Sequence, residues 1–425
     1  MIWFLLCCLF IFLLAEIPSA LVGGASNERS KIYYITKMGN EDNFIYLDHA
    51  ATTPIRDEVN KAMIPYLTSK YGNASSNYQL GFDSASAIAD ARLKVANLID
   101  SDDNEIFFTS GATESNNWVI KNFKYNDRII TSQFEHHSIL NSCEQIENSD
   151  VFTHVVYVPI DGKGHIDPLA YEMELRKWHN THGTPCLVSF MMINNEIGTI
   201  QAIKYYANLA HEYGCYFHTD ATQAVGHIKV DVKELGVDFL TASGHKFGAP
   251  KGIGFLYAKN DYAKTLLKPF HNGGQQELGL RSGTEPVMLI VGLGEACNIA
   301  KRELSLNRQR NDKLGTYFRL KLGKALPRLI YHPCDDLRYT NVSFLNYGIR
   351  GEYLLEWLGE NDVYCSSGSA CNSDDNRPSY VLKAIGCSDE EAECSLRFTL
   401  DADNSEEDIE RAVSMIKFGV QCLGG

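Results

Sequence analysis

Two short blocks of the chain place an acid and an amine where a sheet would bring them together. HTDATQ, His218 to Gln223, ends one apolar run, and SGHK, Ser243 to Lys246, ends another about two dozen residues later. An Asp at a strand end can pair with a protonated pyridine nitrogen, and a Lys just past the next strand can form an imine with an aldehyde. Asp220 and Lys246 together therefore suit pyridoxal phosphate, although a lone Lys after a Gly-His turn reads as a solvated surface group. Upstream, TSGATESNN (Thr109 to Asn117) sets Ser110, Gly111, Ala112 and Thr113 between a strand and a helix. Backbone N–H groups and the helix dipole there would hold a phosphate, with the Thr113 hydroxyl as a further donor; by itself the stretch reads as an ordinary helix cap. No G-x-G-x-x-G follows the strand, which disfavours a dinucleotide.

The elements that must position these groups follow from the apolar pattern. After Tyr46, short apolar runs alternate with longer amphipathic segments: IFFTS (106–110), RIITS (128–132), VVYVPI (155–160), LVSFMMI (187–193), YFHTD (216–220) and FLTAS (239–243). This is the signature of an α/β protein with a mostly parallel sheet covered by helices. Ligands in such sheets sit outside the carboxyl ends of the strands. That rule points to Gly111, Glu135 and His136, Asn194 and Asn195, Asp220, and His245 and Lys246. From about Ala300 the character changes to a charged helix, a strand-like TNVSFLN (340–346) and a last helix opening at Ser405. The expected division is a segment 1–44, a large domain 45–300 and a smaller α+β domain 301–425.

A length of 425 residues allows a large core, and 44% hydrophobic with 22% charged residues is ordinary for a globular protein. The net charge of −14 excludes a general nucleic-acid binder. The 12 cysteines contain no C-x-x-C pair, so no zinc ribbon or thioredoxin-like motif is expected. Cys365/Cys371 and Cys387/Cys394 leave a local disulfide or metal site open, disfavoured because no second ligand cluster accompanies them. Residues Ile2 to Ala15 form an unbroken apolar run, shorter than the roughly 20 residues that span a bilayer. Small residues follow from Ser19 to Ala25, as at a signal-peptide cleavage site, but a basic n-region is missing. The readings are a secretory signal, an uncleaved anchor, or true initiation near Met38; a mitochondrial transit peptide is disfavoured, because the first Arg is Arg29.

From Tyr46 to about Val420 the chain resembles the class I cysteine desulfurases, fold-type-I pyridoxal-phosphate enzymes related to the class V aminotransferases. The resemblance rests on YLDHAATTP (46–54), FTSGATESNN (108–117), EHHSIL (135–140), NNEIG (194–198), HTDATQAVG (218–226), SGHKFGAPKGIG (243–254), RSGT (281–284) and SSGSAC (366–371). It implies a seven-stranded sheet sandwiched by helices, a homodimer, and L-cysteine as substrate. Lys246 would carry the cofactor and Asp220 would keep its ring nitrogen protonated. Gln223 and Asn195 would lie near the ring hydroxyl, and His136 would stack on the ring and transfer protons. Ala112, Thr113, Ser243 and His245 would hold the phosphate, and Thr284 would reach the partner subunit's cofactor. Asn195 and Arg397 would bind the substrate, Arg397 gripping its carboxylate.

Cys371 sets the reaction. It lies in a Ser/Gly-rich stretch that reads as a loop, where a thiolate could take the substrate sulfur as a persulfide and release alanine. A free Cys is commonly a small buried residue; the polar neighbours Ser369, Asn372, Ser373 and Asp374 argue against burial. No resident metal is expected, although Cys371 could ligate a cluster transiently during iron-sulfur assembly. Tyr78 stands where relatives carry His, Ala74 where they carry Pro, and Gly248-Ala249 where they carry Tyr-Gly. The sequence stops at Gly425, short of the tail by which relatives contact the iron-sulfur scaffold, so sulfur abstraction is expected ahead of delivery to that acceptor. Three other readings stay open: a selenocysteine lyase, toward which Ser76-x-Tyr78 and GVDFLT lean and away from which Pro378 leans; another pyridoxal-phosphate enzyme in which Cys371 is incidental; and a catalytically silent, membrane-tethered relative.

Overall fold

The computed structural model describes residues 44–123, 128–149, 153–181, 186–259, 265–368 and 378–424. Seven strands form the central sheet: β2 (Ile106–Thr109), β3 (Arg128–Ser132), β4 (His154–Val158), β5 (Cys186–Ser189), β6 (Tyr216–Asp220), β7 (Phe239–Ser243) and β8 (Gly254–Ala258). Their spatial order is β2-β8-β7-β6-β5-β3-β4. Neighbours from β4 to β7 pair in parallel, and β8 alone is reversed, antiparallel to both β7 and β2. The six runs read from the sequence supply the other strands. β8 follows the Lys246 turn directly, and a return that short can only make an antiparallel neighbour.

Most sheet positions are buried on both faces, as the unbroken apolar runs require. Helices cover them: α1 (Asp57–Thr68), α2 (Gln79–Ile99), α3 (Ala112–Asn122), α4 (His137–Ser149), α5 (Pro168–Thr181) and α6 (Ile203–Glu212). LVSFMMI was expected to be strand throughout, but β5 ends at Ser189. Met192 N–H still bonds the Asp220 carbonyl at 2.9 Å, so the chain follows β6 outward and delivers Asn194 and Asn195 beyond the sheet edge.

A second apolar core gathers Ile45 and Leu47 with Phe318, Val342, Phe344, Leu396, Phe398 and Ile416. It lies under an antiparallel sheet of β9 (Ile330–Tyr331), β10 (Tyr339–Ser343) and β12 (Ser395–Thr399), while β1 (Ile45–Tyr46) pairs in parallel with β11 (Val363–Tyr364). The helix expected from residue 301 starts earlier, at Val287, and runs unbroken to Ala325; it buries Ile290 and Leu293 in the first core and Leu314 and Phe318 in the second. The change of character near Ala300 thus falls inside one helix. The last helix is capped at Ser405, whose hydroxyl accepts from Asp408 N–H while the Asp408 carboxylate returns to the Ser405 N–H. No helix among the described residues is long and apolar enough to cross a membrane. The run Ile2 to Ala15 lies outside the described residues.

Candidate active site

A cavity of about 350 Å³ opens at the carboxyl ends of β2, β6 and β7. Ala112, Thr113, His136, Asn195, Asp220, Gln223, Ser243, His245, Lys246 and Arg397 all line it, drawn from segments scattered over the chain. Thr284 is exposed and does not line this cavity; Cys371 lies outside the described residues.

The Lys246 ammonium donates to the carbonyls of Ala50 and Ala51 at 2.7 and 2.8 Å. The same arm locks the turn behind it, because Thr53 sends both N–H and hydroxyl to the His245 carbonyl and accepts the Gly248 N–H. His227, whose pKa burial lowers to about 4, is a neutral ring whose Nε2–H reaches the Lys246 carbonyl at 2.8 Å. Gln223 has both polar ends engaged, donating to Ala50 and accepting from the Tyr339 hydroxyl. It braces the arm that holds the amine.

Asp220 accepts from Asn116 Nδ2 at 2.7 Å and from the Thr222 N–H at 3.0 Å, so its carboxylate is aimed by two donors. Asn116 also donates to the Ser138 hydroxyl at 2.8 Å, and Ser138 bonds His136 Nδ1 through its N–H at 3.1 Å. His136 Nδ1 is therefore an acceptor, which leaves the exchangeable proton on Nε2. Burial lowers the His136 pKa, opposed by Asp220 and reinforced by Lys246. The ring is neutral at pH 7.

The phosphate expectation has a physical cradle. No side chain caps α3, so the first N–H groups of the helix await an acceptor. Its N-cap Gly111 has φ 148°, and a Cβ there would sit 3.3 Å from Ser243 Oγ, inside the space between the helix start and β7. His245 is held by Thr52 through Nδ1, and burial with Lys246 and Lys251 nearby lowers its pKa to about 4. It would meet an anion as a neutral ring. Asn195 Oδ1 and Thr222 Oγ1, also in the wall, are buried without hydrogen-bond partners. An anion cradle, an acid at a strand end, an amine and unpartnered buried oxygens fit pyridoxal phosphate.

Arg397, on β12, is 1% exposed. It donates to the Asn195 carbonyl at 2.8 Å and to Asp48 Oδ1 at 2.6 Å, while its Nε is buried without a partner. A carboxylate arriving in the cavity would thus meet an arginine already oriented by Asp48. Arg397 and Ser366 exchange both backbone hydrogen bonds, at 3.1 and 2.7 Å. On the far side of residues 369–377, the Ser379 hydroxyl donates to Glu196 Oε2 at 2.5 Å, and the Tyr380 hydroxyl donates to the Glu135 carbonyl at 2.7 Å. Both ends of the stretch bearing Cys371 are therefore fastened beside the cavity wall.

Asp48, Asn116 and Glu196 were not singled out from the sequence. All three lie within the motifs quoted above, but their roles require partners more than a hundred residues away, at separations of 349, 104 and 183. Glu135, by contrast, was named by the strand-end rule. It is fully buried, accepts from Ser132 Oγ and Met191 N–H, and burial raises its pKa to about 8. The folded chain then keeps a proton that the unfolded chain has lost, so this contribution to stability is complete below pH 4.5 and is lost as pH rises through 8. Stability should fall by about 1.4 kcal/mol per pH unit within that window. Glu135→Gln should flatten this slope in denaturant titrations at several pH values; an unchanged slope would rule out Glu135 as its source.

The aminotransferase class-V model matches residues 45–412. The chain is 41% identical over 394 residues to the cysteine desulfurase IscS of Methanosarcina thermophila, covering 91% of this chain and 94% of that protein. It is 41% identical over 379 residues to the cysteine desulfurase IscS of Dictyoglomus turgidum, covering 88% and 93%. Among solved structures, a NifS-like protein superposes with a TM-score of 0.80 at 32% identity, covering 89% of this chain and 100% of that one. By the family match and by these relatives, the chain belongs to the class-V aminotransferase family, among its cysteine desulfurases.

Proposed function

We propose that the chain removes sulfur from L-cysteine with the help of pyridoxal phosphate, leaving L-alanine and a persulfide on Cys371. The observation that carries the reading is the anchoring of both ends of the Cys371 stretch, at Arg397 and at Glu196, around the cavity that Lys246 and Asp220 line. Membership among the cysteine desulfurases supports the same substrate.

In this reading Lys246 would hold the cofactor covalently, Asp220 would meet its ring nitrogen, and Ala112, Thr113, Ser243 and His245 would hold its phosphate. When bound, pyridoxal phosphate supplies an electron sink for charge developing at the substrate Cα. Arg397, oriented by Asp48, binds the substrate carboxylate together with Asn195. Lys246 Nζ and His136 Nε2 are the atoms at which protons are held and moved. The Cys371 thiolate attacks the substrate sulfur, so one S–S bond forms as the substrate C–S bond breaks. The carbon left behind takes up a proton and leaves as alanine. Thr284 serves a second copy of the chain in a homodimer, and an iron-sulfur scaffold or another acceptor protein receives the persulfide sulfur. Residues 2–15 direct the chain to the secretory route or to a membrane surface; N-terminal sequencing of the native protein tests this.

Turnover of L-cysteine against L-selenocysteine is the direct test. Alanine and enzyme-bound persulfide are expected from L-cysteine. Turnover confined to L-selenocysteine would replace the proposal with a lyase.

A further inference from the structure

Outside the cavity, three side chains of different type converge on one point just past β9. His332, just after β9, presents Nδ1 3.6 Å from Cys387 Sγ and 3.8 Å from Glu391 Oε1. The three ligand atoms all lie within 4.8 Å of one another. Cys387 follows helix Tyr380–Ala384, and Glu391 sits one turn further on in helix Asp389–Glu393. We propose that His332, Cys387 and Glu391 form a binding site for a borderline-soft divalent cation of the zinc class.

Two independent features point to a ligand rather than to a chance cluster. The first is the spacing. Zn–S of about 2.3 Å and Zn–N of about 2.0–2.1 Å in a tetrahedral set give an S···N edge of about 3.6 Å, the separation observed between Sγ and Nδ1. The N···O edge would be about 3.4 Å, which a small rotation of the Glu391 carboxylate reaches from 3.8 Å. The second is the tautomer of His332. The Ser395 hydroxyl donates its one proton to the Glu391 carbonyl at 2.7 Å, so at 3.0 Å from His332 Nε2 it must accept. Nε2 therefore carries the ring proton, and the lone pair of Nδ1 faces the thiol and the carboxylate. A metal-bound histidine is held in this way, its second nitrogen donating to a fixed acceptor.

His332 is 4% exposed, whereas Cys387 and Glu391 are partly exposed, so the site is closed on the histidine side and open to solvent on the other. Nitrogen, sulfur and oxygen in one set favour zinc over magnesium or calcium. Binding forms a metal–thiolate bond and releases the Cys387 proton to solvent, with no change of oxidation state. An open fourth position would hold water. The metal would pin the two short helices that follow Ser379 to the edge of the β9-β10-β12 sheet.

Cobalt(II) added to the full-length chain, after treatment with a chelator, is the test. One equivalent should bind with a thiolate-to-cobalt charge-transfer band and the visible bands of tetrahedral cobalt. Cys387→Ala should remove the charge-transfer band and weaken binding by roughly 100-fold or more, and Glu391→Gln should weaken it by about 10-fold. Both positions are partly exposed, and thermal unfolding of the metal-free variants should match the parent chain. Cys371→Ser should leave the band unchanged, which separates this site from the stretch that carries the proposed persulfide. Failure to bind an equivalent of cobalt, a band that survives Cys387→Ala, or a band lost in Cys371→Ser would overturn the assignment.

Discussion

Lys246→Ala is expected to abolish the visible cofactor absorbance of the purified chain and to lower L-cysteine turnover by roughly 10³-fold or more, because it removes both the covalent tether and a proton-transfer group. The effect reaches beyond the missing amine. In the cofactor-free chain Lys246 Nζ bonds the Ala50 and Ala51 carbonyls; Ala50 keeps a donor in Gln223, so the substitution takes the lysine donor from the Ala51 carbonyl. Losing a hydrogen bond from a charged donor costs about 1.5–3 kcal/mol. The cofactor-free variant should therefore melt below the cofactor-free parent. Absorbance that persists at full strength in Lys246→Ala, measured after gel filtration, would exclude Lys246 as the tether.

Cys371→Ser should separate the two halves of the reaction. The cavity residues are untouched, so cofactor absorbance is expected to stay intact, whereas sulfur transfer should drop by roughly 10³-fold or more because a serine hydroxyl, unlike a thiol, is not ionised near neutral pH and is a poor nucleophile. The readouts are persulfide, detected by mass spectrometry of the intact protein, and alanine. Alanine production at the parent rate would reject Cys371 as the sulfur acceptor and favour an enzyme in which this thiol is incidental.

Much of the fold was open to reading because it rests on local pattern. Six apolar runs, each closed by a polar or Gly-containing turn, become six strands of the sheet, and the strand-end rule led to Asp220, Asn195 and Lys246 before any contact was known. Ser405 was recognisable as a cap because the capping box needs only four consecutive residues. β8 was less legible: GFLYA is short, and it follows a Gly-rich turn already accounted for by the Lys246 motif. The helix boundary near Ala300 was misplaced because the polar second half of Val287–Ala325 hides its continuity with the apolar first half.

The sequence by itself determined the class of sheet, the acid and amine at its edge and the cysteine on a polar stretch, all of which follow from residue types within a few positions of one another. Tertiary structure alone decided how those groups are held. Asp48 aims Arg397 across 349 positions, Asn116 joins Asp220 to Ser138, and Glu196 meets Ser379 across 183. The same holds for His332, Cys387 and Glu391. From the sequence Cys387 was weighed only with Cys394, as one of two cysteine pairs disfavoured for want of a second ligand cluster, and His332, 55 positions earlier, meets it only in the folded chain. Hydrogen bonds and ligand sets are distances between atoms, and distances between remote segments are set by the packing of the whole chain.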